Sequence, residues 1–315
     1  MSLIIQEGGL LTILQTVEKQ TKSEQKNNEY NGAVDSLSPM LANKLVGNDV
    51  NEPTIEMSGQ PAVIQFTEPT IIAYSGGDFN GKVSDDDIQP NRIYHVDRGD
   101  VLSFQGSTRG SRLYLAIAGG IAVEKSNVLK SGDEVIMRRN YTALHDEIFH
   151  MMSNKRKVSW GIGIYSLVEV YLSDTYHIVK RPDVPLEVYE KLEEREYTVT
   201  QEENRIQLSV EGQEIEYAGT DCVSPGVLGG VYLDNNLPTI ALNDFAQETE
   251  LAHIGTIPSY HMHKLGQKRR GSKIKFKVVD SEDAHAETYG HYLWVNSLFK
   301  AIDYKISKEL VKEKM

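Results

Sequence analysis

The chain is built from short segments in which apolar and polar residues alternate, each closed by Gly, Pro, Asn or Asp. In the first half these are "PAVIQF" (61–66), "TIIAYSG" (70–76), "RIYHV" (92–96), "VLSFQG" (101–106) and "SRLYLAIAGGI" (111–121). In the second they are "KVSWGIGIYSL" (157–167), "VEVYL" (168–172), "YHIVK" (176–180), "RIQLSVEG" (205–212) and "TIALND" (239–244). A period of two sends successive side chains to opposite faces of an extended chain, so each segment predicts a half-buried strand. Many short strands separated by turn residues predict a mainly β fold.

One unit recurs. "RGDVLSF" (98–104), "SGDEVIM" (131–137) and "RGSKIKF" (270–276) each place Gly-Asp or Gly-Ser before an alternating run. Gly supplies an unrestricted backbone angle, and Asp or Ser can bond back to the chain. The recurrence predicts barrel-like sheets in two related halves. Helical spacing is confined to "SLSPMLANKLVG" (36–47), "VPLEVYEKLEERE" (184–196) and "SEDAHAETYGHYLWVNSLFKAIDY" (281–304). The segment 138–157 alternates little and reads as a linker with one helical turn. It gives halves 1–140 and 158–315 with residues 141–157 between them. The polar run 18–32 reads as a surface loop.

Composition removes several function classes. A formal net charge of −12 argues against a broad phosphate-binding surface, so no nucleic-acid partner is expected. The basic run 264–277 is expected to be a solvated turn and an edge strand, where lysines discourage pairing. A single cysteine, Cys222, precludes an internal disulfide or a multi-cysteine metal site. No run reaches the ~18 apolar residues of a membrane helix. The N-terminus lacks the basic leader of a signal peptide, so a cytoplasmic protein without membrane contact is expected. No phosphate-binding GxGxxG or GxxxxGK[ST] and no GxSxG elbow is present. "SGGDFNG" (75–81) predicts a hairpin connection. "HMH" (261–263) would put two imidazoles on one face of a strand but point them apart on a helix, and no metal is expected.

Two stretches have chemical content. Asp35, in "NGAVDSLSP", is either the cap of the following helix or a polar group at a ligand cleft. "LNDFAQETELAHIG" (242–255) gathers Asp244, Gln247, Glu248, Glu250 and His253 in one loop.

Taken in order, several stretches resemble one family. "GGLLTILQT" (8–16) is similar to PGLLTTVQD, "NGAVDSLSPMLANKLVGN" (31–48) to SGAMDPLALRLANLLVGN, and "TIEMSGQP" (54–61) to ALEITLGGP. "AYSGGDF" (73–79) resembles LTGADL, and "GSRLYLAIAGGI" (110–121) resembles GxRAYLAVAGGI. "ENRIQLSVEG" (203–212) resembles DRMGYRLEG, and "SPGVLGGVYL" (224–233) resembles SEGVPPGAIQVP. These are motifs of the KipA-type proteins, or allophanate hydrolase subunit 2. That family includes the C-type subunit of bacterial ATP-dependent 5-oxoprolinase and part of the carboxyltransferase region of urea carboxylase.

The resemblance implies two cyclophilin-like β-barrel halves with a few short helices and a C-terminal helix. It implies membership of an ATP-dependent complex acting on a small cyclic or urea-like amide. Its partners would be a KipI-like, B-type subunit and a third polypeptide of the A type. No cofactor is expected on this chain alone, ATP being used at the level of the complex. Asp35 and Asp244 would orient or polarise the amide, with Asn43, Arg112, Asn204 and Arg205 as substrate-binding groups. The alternative is a non-catalytic paralogue that binds the KipI-like partner in a regulatory role.

The departures fall in three places. Where the family carries DRQTTGGYP, this chain keeps Asp244 but has Phe245 at the Arg position, Glu248 at the second Thr, and Thr249 and Glu250 at the two glycines. A VLGSRST stretch after AGGI and the Tyr-Gln loop after the opening strand are also replaced. An Arg fork and close-approach glycines are what an anionic substrate would use. Glu248 and Glu250 are therefore expected to be solvated, with Phe245 packed.

Overall fold

The computed structural model describes residues 2–17, 32–122, 127–200, 205–217, 219 and 223–313. The polar run 18–31, Asn204 and Cys222 lie outside them. The chain forms two compact units, one of residues 1–167 with 295–315 and the other of residues 168–294. The division falls after Leu167, not within 141–157.

In the first unit the strands are β1 (Ser2–Glu7), β2 (Leu11–Gln15), β3 (Thr54–Ser58), β4 (Val63–Phe66), β5 (Thr70–Asp78) and β6 (Gly81–Val83). They continue with β7 (Asp86–Ile88), β8 (Arg92–Val96), β9 (Val101–Ser103), β10 (Arg109–Ile117) and β11 (Glu134–Ile136). They hydrogen-bond as two sheets, β11-β1-β4-β9-β6-β7 and β2-β3-β10-β5-β8, rather than as one closed ring. Both sheets feed a single core, with Ile5, Phe66 and Leu102 from one and Met57, Ile72 and Leu115 from the other. "SGGDFNG" is therefore not a hairpin: it runs from the end of β5 into the start of β6, and the two strands belong to different sheets.

Helix α1 (Leu37–Val46) packs on β5 and β10. This explains why those strands are buried on both faces, β10 from Gly110 to Ile117. Helix α1 stops at Gly47, which takes φ 84° and donates its N–H to the Lys44 carbonyl. The expected linker carries a full helix, α2 (Ala143–Met152), with a capping box between Thr142 and His145. A histidine in the usual Glu position hid that signature.

The second unit contains α3 (Val168–Leu172), β12 (Thr175–Lys180), α4 (Leu186–Glu193), β13 (Glu196–Val199), β14 (Gln207–Glu211) and β15 (Ser224–Pro225). Then come β16 (Gly230–Asp234), β17 (Leu237–Ala241), β18 (Glu248–Thr249), β19 (Ala252–Thr256), α5 (Ser259–Leu265) and β20 (Lys273–Val279). Seven of these strands close a barrel in the order β12-β19-β16-β17-β14-β13-β20. The closing pair β12–β20 is parallel. The fold is mainly β with a closed barrel, as expected. The last helix, α6 (Ser281–Glu313), is longer than its apolar stripe predicted.

Two predicted strands are not strands. "VEVYL" is helix α3, packed on α5 with Val170 buried, and 157–167 has no strand, only a 3-10 turn at Ile164–Leu167. Short apolar runs do not separate strand from helix by periodicity alone. Strand β20 is also no edge. It pairs with β12 and β13, burying Ile274 and Phe276 while Lys273, Lys275 and Lys277 point outward.

The recurring turn is one device used three times. Gly99, Gly132 and Gly271 sit at φ 90°, 90° and 82°. In each, the amide three residues before the Asp or Ser donates to its side chain: Asp97 to Asp100 at 2.7 Å, Lys130 to Asp133 at 2.7 Å and Arg269 to Ser272 at 3.1 Å. The Asp or Ser amide returns a bond to the first carbonyl, closing a turn that requires positive φ at its third residue. Each glycine amide then bonds the next strand, at the Phe66, Ile5 and Val199 carbonyls.

Candidate functional site

In the second unit, Asp244 lies just beyond β17, opposite Arg205 at the start of β14. The ladder continues past both strands, Leu242 N–H donating to the Ile206 carbonyl at 2.8 Å and Asp244 N–H to the Arg205 carbonyl at 2.9 Å. This register brings the Arg205 Nε to 2.7 Å from Asp244 Oδ2. The Arg205 side chain is buried at 2% exposure, whereas the Asp244 side chain is 16% exposed. A hidden guanidinium thus holds a carboxylate that still reaches the surface. Two of the expected site residues are brought together; Asn204 is the neighbour outside the described residues.

Phe245 stacks on Tyr232 at 5.1 Å between ring centres, and Tyr232 stacks on His253 at 4.7 Å. The Tyr232 hydroxyl donates to the Pro225 carbonyl and accepts from Val227 N–H. His253 Nδ1 accepts from Arg181 at 3.1 Å, and Nε2 donates to the Gly255 carbonyl at 2.8 Å. Burial and the Arg181 charge hold this imidazole below its usual pKa. Glu248 and Glu250 are exposed. The loop therefore offers one oriented carboxylate, Asp244, beside a packed aromatic ladder.

In the first unit, Asp35 is fully buried and serves as the cap. Its Oδ1 accepts from the Leu37 and Ser38 amides at 2.9 and 3.1 Å, and its Oδ2 accepts from the Ser38 hydroxyl. The Asp35 amide donates to the Tyr114 hydroxyl at 3.0 Å. Tyr114 and Arg112 share one face of β10 and are paired in register with Glu56 and Ser58 of β3. Arg112 Nε lies 3.8 Å from Glu56 Oε1, both side chains being buried. Burial first, then the Glu56 and Asp35 charges, raises the Tyr114 pKa and keeps the phenol protonated. Asp35 and Arg112 thus belong to one buried polar cluster under α1, and Glu56 and Tyr114 complete it. The i, i+2 spacing of Arg112 and Tyr114 was the available sequence signal; Glu56 gave none without the β3–β10 register.

Asn43 is a latch. Its Nδ2 donates to the Glu52 carbonyl at 2.7 Å and its Oδ1 accepts from Asn48. Asn48 donates on to the Ile117 carbonyl and accepts from the Gly119 amide, and His145 lies 3.0 Å from its Oδ1. This network fixes the loop after α1 against the end of β10. His261 and His263 lie on helix α5 and point apart. His261 meets His177 and Tyr176, whereas His263 stacks on His291 at 4.8 Å. Among the described residues no group of three or more His, Cys, Asp or Glu side chains could hold a metal ion. No described helix is long and apolar enough to cross a membrane.

Known proteins resemble this chain in sequence and fold. A urea amidolyase of Lachancea kluyveri is 26% identical over 309 residues, covering 82% of this chain but 16% of that protein. The chain thus spans about a sixth of that relative. The C-type subunit of the 5-oxoprolinase of Escherichia coli is 23% identical over 273 residues, covering 80% of this chain and 84% of the relative. The crystal structure of the K. lactis urea amidolyase superposes with a TM-score of 0.78 at 21% identity, over 94% of this chain and 20% of that one. The family model described as carboxyltransferase domain, subdomain A and B, matches residues 29–278, and with two compact β units built on that span, this chain belongs to that family.

Proposed function

We propose that this chain is the carboxyltransferase-type member of an ATP-dependent complex acting on a small cyclic or urea-like amide in the cytoplasm. It works with a KipI-like, B-type subunit and a third polypeptide of the A type, and ATP is used at the level of the complex. The observation that supports this reading is the oriented carboxylate of Asp244, held at 2.7 Å by buried Arg205 and still partly open to solvent. Asp244 accepts an N–H of the amide and fixes its plane, while Arg205 keeps the acceptor oxygen in place. A charge-assisted hydrogen bond of this kind is about twice as strong as a neutral one.

A second reading, a regulatory paralogue without catalysis that binds the KipI-like partner, is favoured by one feature. Phe245 is packed on Tyr232 at the position where the resemblance places an Arg. ATP-dependent 5-oxoproline turnover by the reconstituted complex separates the two. The enzymatic reading expects turnover that is lost when this chain is omitted. Turnover indifferent to this chain supports the regulatory reading.

A further inference from the structure

The first unit has a cleft of about 290 Å³ that lies apart from Asp244 in the chain and that the proposed function does not use. It is lined by Asp78, Asn91, Arg92, Arg109, Gly161 and Gly163, among others. Arg92 begins β8, where it pairs with Tyr74 of β5; it is half-buried, and its side chain makes no hydrogen bond or ion pair among the described residues. A guanidinium is a planar fork of donors suited to a carboxylate, and burying it without an acceptor is costly.

Asn91 supports the same conclusion. It is 5% exposed and adopts φ 63°, a left-handed conformation that Asn tolerates. Its Oδ1 accepts from the Ser75 hydroxyl at 2.6 Å, which leaves Nδ2 as a donor, and Nδ2 has no partner among the described residues. The chain opposite approaches closely: Ile162 N–H donates to the Asn91 carbonyl at 3.0 Å, and a Cβ on Gly161 would stand 2.7 Å from that oxygen. Gly161 is therefore needed to form the wall.

The formal charge of the lining sets the ligand class. Arg92 brings a positive charge that has no acceptor among the described residues, and Asp78 a negative one at the edge of the lining. The Asp78 Oδ1 accepts from the Asn80 amide, so the acid is fixed at the rim. A monoanion matches the Arg92 charge; a phosphate dianion would bring excess charge against Asp78. We propose that this cleft binds a small monocarboxylate, its two oxygens accepting from the Arg92 fork and from Asn91 Nδ2.

The test uses the whole chain and needs no complex. Benzoate, its neutral isostere benzamide and inorganic phosphate are titrated by calorimetry against the protein and against Arg92→Gln and Arg92→Lys. Amide shifts are followed at Gly161, Ile162 and Gly163. Benzoate is expected to bind and to shift these three amides, benzamide not to bind, and phosphate to bind at least tenfold more weakly than benzoate. Arg92→Gln is expected to weaken benzoate at least tenfold, and Arg92→Lys less, since it keeps the charge and loses the fork. Urea unfolding checks that the variants are folded. No benzoate binding, equal binding of benzamide, tighter binding of phosphate, or an unchanged affinity in folded Arg92→Gln each overturns the proposal. None of these outcomes depends on whether the complex turns over an amide.

Discussion

At the residue scale the same charged side chain is either a tool or a strut, and its partners decide which. Asp35 spends both oxygens on the start of α1, whereas Asp244 is oriented by one buried guanidinium and stays accessible. Replacing Arg205 by Met leaves the carboxylate without its Nε partner. Removing one member of a buried pair costs about 3–5 kcal/mol, and the partial exposure of Asp244 places the loss near the lower end; urea denaturation measures it. The histidines of α5 make a second prediction. Burial, then the charges of Lys264, His177 and His291, pushes His261 down to about 3, and His263 falls well below its usual value by burial. Both are neutral in the folded protein but protonate near pH 6.5 when unfolded. The contribution of His261 is therefore complete above pH 6.5 and is lost as pH falls from there towards 3, and that of His263 is lost in the same direction. Each protonation mismatch costs about 1.4 kcal/mol per pH unit in that window. Stability measured from pH 7 to pH 5 should fall, and His261→Phe should make the fall shallower. A steeper or unchanged slope would contradict this.

At the scale of elements, the three Gly-Asp and Gly-Ser turns were legible because their chemistry is local. Positive φ, a side chain bonding back and an alternating strand all lie within seven residues. Replacing Gly99, Gly132 or Gly271 by Ala puts a Cβ where nothing lies within 4 Å, so crowding is absent and only backbone strain remains. The expected loss is about 1–2 kcal/mol each. Gly290, inside α6, also meets nothing within 4 Å but has no positive φ. Gly290→Ala should stabilise by about 1 kcal/mol. Opposite signs for the two sets in thermal unfolding test the distinction. Helix α3 and the pairing of β20 were not legible, because each depends on a distant neighbour, α5 for one and β12 with β13 for the other. The ion pair of Arg205 with Asp244 spans 39 residues and needs the β14–β17 register. Sequence spacing names the two residues but cannot pair them.

At the scale of the whole molecule, the chain is a carboxyltransferase-family protein with a mainly β fold, and residues 244–252 depart from the motif that the resemblance implies. Phe245 is part of an aromatic ladder, and Glu248 and Glu250 are exposed to solvent. If the site still acts on an amide, its activity passes through Asp244. The direct measurement is ATP-dependent 5-oxoproline turnover of the reconstituted complex, carrying Asp244→Asn, Glu248→Gln or Glu250→Gln in this chain. The account predicts a loss of about a hundredfold or more for Asp244→Asn, the scale of a substrate no longer held in its reactive geometry, and rates within about twofold of the parent for both Glu variants. Unchanged turnover in Asp244→Asn, or a hundredfold loss in either Glu variant, would contradict it.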